Sequence, residues 1–199
     1  MPGYELYEES IQMLYDAFAR HNITLHIDVD EELPFYKEID GDTLRLFYWN
    51  YFLHNDKNNP RFGIFHYAVI GCTNSWRKSV AGFNFNGGIY PVLDSFFLGV
   101  GTIKTYRLSR TKRILATASL FMHELGHNLG LFGSTFNGID NQNTRFPWQT
   151  GYWKYRNYKS CMNYRYSWHL VDYSDGSHGQ NDFDDWNSID LTFFKKKLW

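Results

Sequence analysis

Two histidines four residues apart with a glutamate between them, His123-Glu124-Leu125-Gly126-His127, are the residues of this chain best equipped for chemistry. On a helix, positions i and i+4 share one face, so both imidazoles can reach a single zinc ion. Glu124 lies beside them, where a carboxylate takes a proton from a metal-activated water. The motif has this meaning only on a helix, and the flanking residues supply one. Ile114, Ala118, Phe121, Met122, Leu125 and Leu129 recur at helical period, largely off the histidine face. Ser109 or Thr111 is placed to cap the start, and Gly130 to stop the end. The same short pattern arises by chance on polar helices; here the well-formed helix and Gly130 favour a metal.

A hydrolytic zinc site needs a third protein ligand and an open fourth position. One known source is a glutamate on a later helix, but no glutamate follows Glu124. The remaining frame is His123-Glu124-x-x-His127-x-x-Gly130, with Ser160-Cys161-Met162-Asn163-Tyr164 further on. Together and in this order, the two segments resemble the metzincin zinc metallopeptidases. Phe121 through Leu131 and Tyr158 through Tyr164 are similar to a microbial metzincin-like group, with weaker resemblance around Phe65-His66-Tyr67 and Asp172-Tyr173-Ser174.

The resemblance implies an α+β zincin fold: a mixed twisted sheet with an antiparallel edge strand, an active-site helix, and an irregular lower half ending in a helix. It implies one catalytic zinc ion and hydrolysis of peptide bonds in an extended polypeptide substrate, with Glu124 as general base. It also implies that Gly130 turns the chain back toward the metal and that Met162 forms a soft apolar floor beneath it. In some metzincins a tyrosine two residues after that methionine steadies the oxyanion. Tyr164 has this spacing, although a packing role for it is equally open.

The chain departs from the family at one place. The usual third-ligand position is Gly133, which has no side chain to offer. The loop that follows contains Gly138 and Asn137 and allows a longer detour ending at Asp140, whose carboxylate is a competent zinc ligand. His169, His178, Asp172 and Asp175 compete for the place, all beyond Met162. Cys161 is a conceivable thiolate donor but better suited to a buried structural role.

The other readings stay open beside the endopeptidase. One is a metallo-aminopeptidase for small peptides, for which no spacing identifies a group that binds a free amine. Another is a non-catalytic peptide-binding or scaffold protein with a degenerate site, suggested by Gly133 and opposed by Glu124. Asp172, Asp175 and Asp182, near Gly176 and Gly179, offer calcium ligands without the spacing of a known calcium loop, so surface-turn acids are the simpler account.

The 199 residues suit one domain, with an upper part to about residue 130 and a lower part from 131 to 199. A net charge of −1 gives no electrostatic case for nucleic acid or an anionic membrane, and a monomer is expected. No signal peptide or membrane span is visible, and Cys72 and Cys161 permit one disulfide or two free thiols. The compartment is therefore open, and extracellular if the chain is the mature part of a longer precursor.

Periodicity predicts a helix over 4–20 ended by Asn22, then a strand through Ile23, Leu25 and Ile27. A helix through Leu44 to Phe52 follows, then an interior strand from Phe65 to Cys72. Next come an edge strand from Val80 to Phe85 and a strand from Asp94 to Val100 that leads directly into the site helix. Metzincins usually open with a strand before the first helix, for which nothing upstream of Tyr4 leaves room. Either the fold omits that strand or the chain is a fragment. Residues 131–182 read as irregular, with Asp182 or Asp184 capping a last helix through Trp186, Ile189, Leu191, Phe193 and Phe194. Phe146, Trp148, Tyr152, Trp153, Tyr155 and Tyr158 crowd one segment, as a pocket wall or a small aromatic core.

Overall fold

The computed structural model describes residues 4–76, 78–85, 87 and 92–195. In chain order the elements are α1 (Glu8–Ala19), β1 (Glu38–Ile39), α2 (Gly41–Phe47), β2 (Tyr67–Gly71), β3 (Thr73–Asn74), β4 (Gly82–Phe85), β5 (Ser95–Gly99), α3 (Val100–Thr105), α4 (Arg110–Asn128), α5 (Thr150–Lys154) and α6 (Asp185–Ser188). This is a mixed α+β architecture. β5 is central to the main sheet, with β2 parallel on one side and β4 antiparallel on the other; β1 and β3 form a separate parallel pair.

Every residue of β5 is buried, as a central strand requires. β4 is the edge strand that its glycine-bordered sequence suggests, and it runs antiparallel to β5. β2, expected in the interior, is the opposite edge among the described residues. Its apolar residues are spent on side-chain packing, with Tyr67 stacked on Phe52 at 4.8 Å, rather than on a second ladder. The alternation at Ile23, Leu25 and Ile27 is real as burial, since all three pack on the main core, but no strand forms there among the described residues. Side-chain alternation records which face is covered; a ladder also needs a neighbour in register.

α1 starts later than its periodicity suggests, because Tyr4 and Leu6 reach the core from non-helical backbone. α2 is capped by Asp40 and runs into a π-helical turn, Tyr48–Phe52. α3 was hidden in the apolar run that continues from β5. The expected last helix is broken. α6, capped by Asp184, ends at Ile189 in extended backbone. Asp190 then donates its N–H to the Leu129 carbonyl at 2.9 Å and accepts from Thr192, which turns the chain before a 3-10 turn at Phe193–Lys195. In the basic run Lys195-Lys196-Lys197, the last two residues lie outside the described residues.

α4 packs on β4, β5, α1 and α3, and it is buried on every side from Ala116 to Asn128. Its largest surrounding cluster draws on both halves of the chain, from Leu14 and Phe96 to Tyr158, Met162 and Trp186. A helix so enclosed holds its side chains in fixed rotamers, which is what a precise site requires.

Two carboxylates are sealed in this interior. Asp94 accepts from the Tyr48 hydroxyl at 2.5 Å and the Ser95 hydroxyl at 2.8 Å, and burial pushes it up to about 6. Asp185 accepts from Tyr158 at 2.7 Å and from the Ser174 N–H at 3.0 Å, and burial pushes it likewise to about 6. Such a group binds its proton more tightly folded than unfolded. Its stabilising contribution is complete below the ordinary carboxylate value of about 4 and is lost as pH rises through about 6. For Asp94 the loss is on the order of 3 kcal/mol. Asp94→Asn leaves both hydroxyls with a partner, since each can rotate to donate or accept. Its melting temperature is expected to gain on wild type as pH rises from about 4 to about 7. Parallel curves would contradict the burial argument.

Candidate metal centre

The end of α4 builds the site. Gly130 adopts φ +93, a left-handed conformation that favours glycine. The Leu131 N–H bonds the Gly126 carbonyl at 2.9 Å and the Gly130 N–H bonds the His127 carbonyl at 3.0 Å, a Schellman termination. The same reversal brings the Leu131 carbonyl to His127 Nδ1 at 2.7 Å, while His123 Nδ1 meets the Cys161 carbonyl at 2.8 Å. A carbonyl only accepts, so both Nδ1 atoms carry the proton and both Nε2 atoms are left as lone-pair donors.

Those two nitrogens converge on Asp140. His123 Nε2 is 3.1 Å from Asp140 Oδ1, and His127 Nε2 is 3.2 Å from Oδ2. The loop from Gly133 reaches this place because Phe136 anchors it, stacked on Phe183 and edge-on to Tyr155 and Tyr158. At Gly138 a Cβ would strike the Phe136 ring at 2.5 Å. Asp140 itself has φ +54, a strained value that aspartate tolerates better than most residues. Its N–H is tied to the Met162 carbonyl at 3.2 Å.

Nothing in the protein satisfies this arrangement fully. Asp140 Oδ1 is buried and has no hydrogen-bond partner among the described residues, although His123 Nε2 is close. Given only protons, the cluster resolves by charging His123. Burial opposes that charge, but the hydrogen bond and negative charge of Asp140 outweigh it and push His123 up to about 9. His127, buried beside that charge, falls to about 4. Asp140 is raised by burial but pulled down more strongly by His123, to about 2. One imidazolium thus balances the Asp140 carboxylate while the other imidazole stays neutral. One donor atom from each of the three side chains lies within 4.8 Å of the others, so the trio can hold a divalent ion, and nitrogen–oxygen sets of this kind suit zinc.

Glu124 is buried next to the trio. Burial raises its carboxyl to about 7, against the opposing pull of His123 and Asn84. Met162 packs under α4, where a Cβ on Gly126 would meet its Sδ at 2.5 Å. Tyr164 stacks on His123 with ring centres 5.8 Å apart and lies near Asp140. Burial drives its phenol well above the usual range, so it remains a donor. Cys161 and Cys72 are free thiols, and burial pushes the Cys161 thiol far up.

The competing ligands lie elsewhere. His169 is exposed on the turn after Met162. Asp172 pairs with Arg20 at 2.7 Å and accepts from Trp186. Asp175, His178 and Asp182 form a second group, but Asp182 already accepts from the Ser174 hydroxyl and the His178 and Phe183 N–H groups. Asp172 is thus engaged by Arg20 and Trp186, and it is not part of the Asp175, His178 and Asp182 group. The aromatic segment divides. Tyr155 and Tyr158 are core residues, while Phe146 and Trp148 stack at the surface and Arg165 covers Tyr152.

Sequence reasoning missed two residues of β4. Asn84 Nδ2 donates to Glu124 Oε2 at 2.8 Å and to the Glu124 carbonyl at 3.0 Å. Gly82 faces Glu124 so closely that a Cβ there would stand 2.4 Å from Oε1. The signal was available: Gly82 and Asn84 alternate with Phe83 and Phe85, so one face of this strand is small and polar.

Comparison of the chain with family models, curated proteins and solved structures finds no match.

Proposed function

We propose that this protein is a zinc-dependent endopeptidase of metzincin type. The observation that carries the proposal is the convergence of His123, His127 and Asp140 next to a buried glutamate. All four side chains are held by one enclosed helix and one anchored loop. Zinc at this place would act as a Lewis acid on a peptide carbonyl and lower the pKa of a water.

The chain's own residues then have separable tasks. His123 and His127 are fixed as Nε2 donors by the Cys161 and Leu131 carbonyls. Glu124 takes the proton of the attacking water and returns it to the leaving amine. Burial favours the protonated form of this carboxyl, which helps it take up the proton. The Tyr164 hydroxyl, beside Asp140 and His123, is a donor for the charge that develops on the carbonyl oxygen. Met162 keeps the underside of the centre dry and apolar. An extended polypeptide is the substrate class, and no helix among the described residues is long and apolar enough to cross a membrane.

Metal removal tests the proposal. Treatment with a chelator is expected to abolish cleavage of a casein-like substrate, and stoichiometric zinc to restore it. Cleavage that persists in the metal-free protein would overturn the proposal.

A further inference from the structure

We propose that β4 is the positioning device for the general base, with Asn84 gripping the Glu124 carboxylate and Gly82 making room for it. This rests on the peptidase reading for its catalytic consequence, but not for its geometry. Asn84 Nδ2 has two protons and directs them at two atoms of the same residue, carboxylate Oε2 at 2.8 Å and the main-chain carbonyl at 3.0 Å. Gripping both ends of Glu124 fixes its side-chain torsions relative to the helix that carries His123 and His127. An amide donates at both protons at any working pH, so the grip survives a change of charge on Glu124.

Gly82 completes the device. β4 approaches α4 so closely that any side chain at this position would displace the carboxylate, with a Cβ 2.4 Å from Oε1 and 2.9 Å from Cδ. The ladder to β5 pairs Gly82 with Leu98 and Asn84 with Phe96 through backbone, so the Asn84 side chain is not needed to build the sheet. Nor does it serve stability well. Asn84 Oδ1 is buried without a hydrogen-bond partner among the described residues, a cost that an apolar side chain would avoid. Residues placed at a cost to the fold mark function more often than packing.

The test uses the full chain with carboxyl-13C-labelled glutamate, in wild type, Asn84→Asp and Gly82→Ala. Asn84→Asp keeps the shape but turns the donor into an acceptor facing Oε2. Gly82→Ala pushes on Oε1 and leaves Asn84 intact. In metal-free protein the Glu124 resonance, identified by its loss in Glu124→Gln, is expected to move in both variants while those of the other glutamates stay. Zinc content should be unchanged, because neither residue touches a ligand. In zinc-loaded protein kcat should fall about 100-fold with KM little altered, as a displaced base predicts. Asn84→Asp should add nothing to the loss already caused by Glu124→Gln. A Glu124 resonance unmoved in both variants would overturn the positioning role whatever the activity. A moved resonance with undiminished kcat would overturn its catalytic consequence. If wild type itself cleaves nothing, the peptidase reading fails, and the resonances still decide whether β4 holds Glu124.

Discussion

Asp140→Gly is expected to lose zinc binding by about 1,000-fold. Zinc held by protein donors is worth about 10–16 kcal/mol, so removing one donor of three costs about 4 kcal/mol. Glycine is the substitution of choice because Asp140 sits at φ +54, where alanine would add strain of its own. It leaves the Asp140 N–H bond to the Met162 carbonyl available, so the loop can keep its course. Two imidazoles alone would remain, without the carboxylate that now faces both Nε2 atoms. Competition against a chelator of known affinity measures the loss. Undiminished affinity would show that another group, such as His169 or His178, completes the site.

Glu124→Gln should retain zinc and fold while turnover falls about 10²–10⁴-fold. Glutamine matches glutamate in size and still offers an oxygen to Asn84, so the grip by β4 survives. What it cannot do is carry a proton from water to the leaving amine. KM should stay near the wild-type value, because proton transfer contributes only in the transition state. Turnover close to wild type with zinc in place would remove Glu124 from the mechanism.

These residues differ in how far they are legible without the fold, and the difference is one of range. His123, Glu124, His127 and the stop at Gly130 belong to one helix, where spacing alone decides which side chains share a face. Asp140 was reached by eliminating Gly133 and weighing a flexible loop. What seats it is the anchoring of Phe136 against Tyr155, Tyr158 and Phe183, which no local pattern predicts. Asn84 and Gly82 show in the sequence only as the small, polar face of a strand; their place beside Glu124 depends on how β4 crosses α4, a contact spanning some forty positions of chain.

The fold shows the same division. α4 and an edge strand at β4 follow from periodicity and bordering glycines. The run from Ile23 to Ile27 has strand-like burial without a partner, and β2 has interior composition at a sheet edge, because ladder neighbours are set by tertiary packing. The last helix fails at Ile189, where the Leu129 carbonyl captures the Asp190 N–H. That carbonyl is freed by the termination of α4, so the turn that ends the site helix also sets this break.

The most direct test of the whole account is proteolysis of a defined peptide mixture in H₂¹⁸O, read by mass spectrometry. Zinc-loaded wild type is predicted to cut internal peptide bonds, placing one heavy oxygen in each new carboxyl group, while Glu124→Gln leaves the same peptides intact. Peptides left whole by the zinc-loaded wild type, or trimmed only from their amino termini, would contradict it.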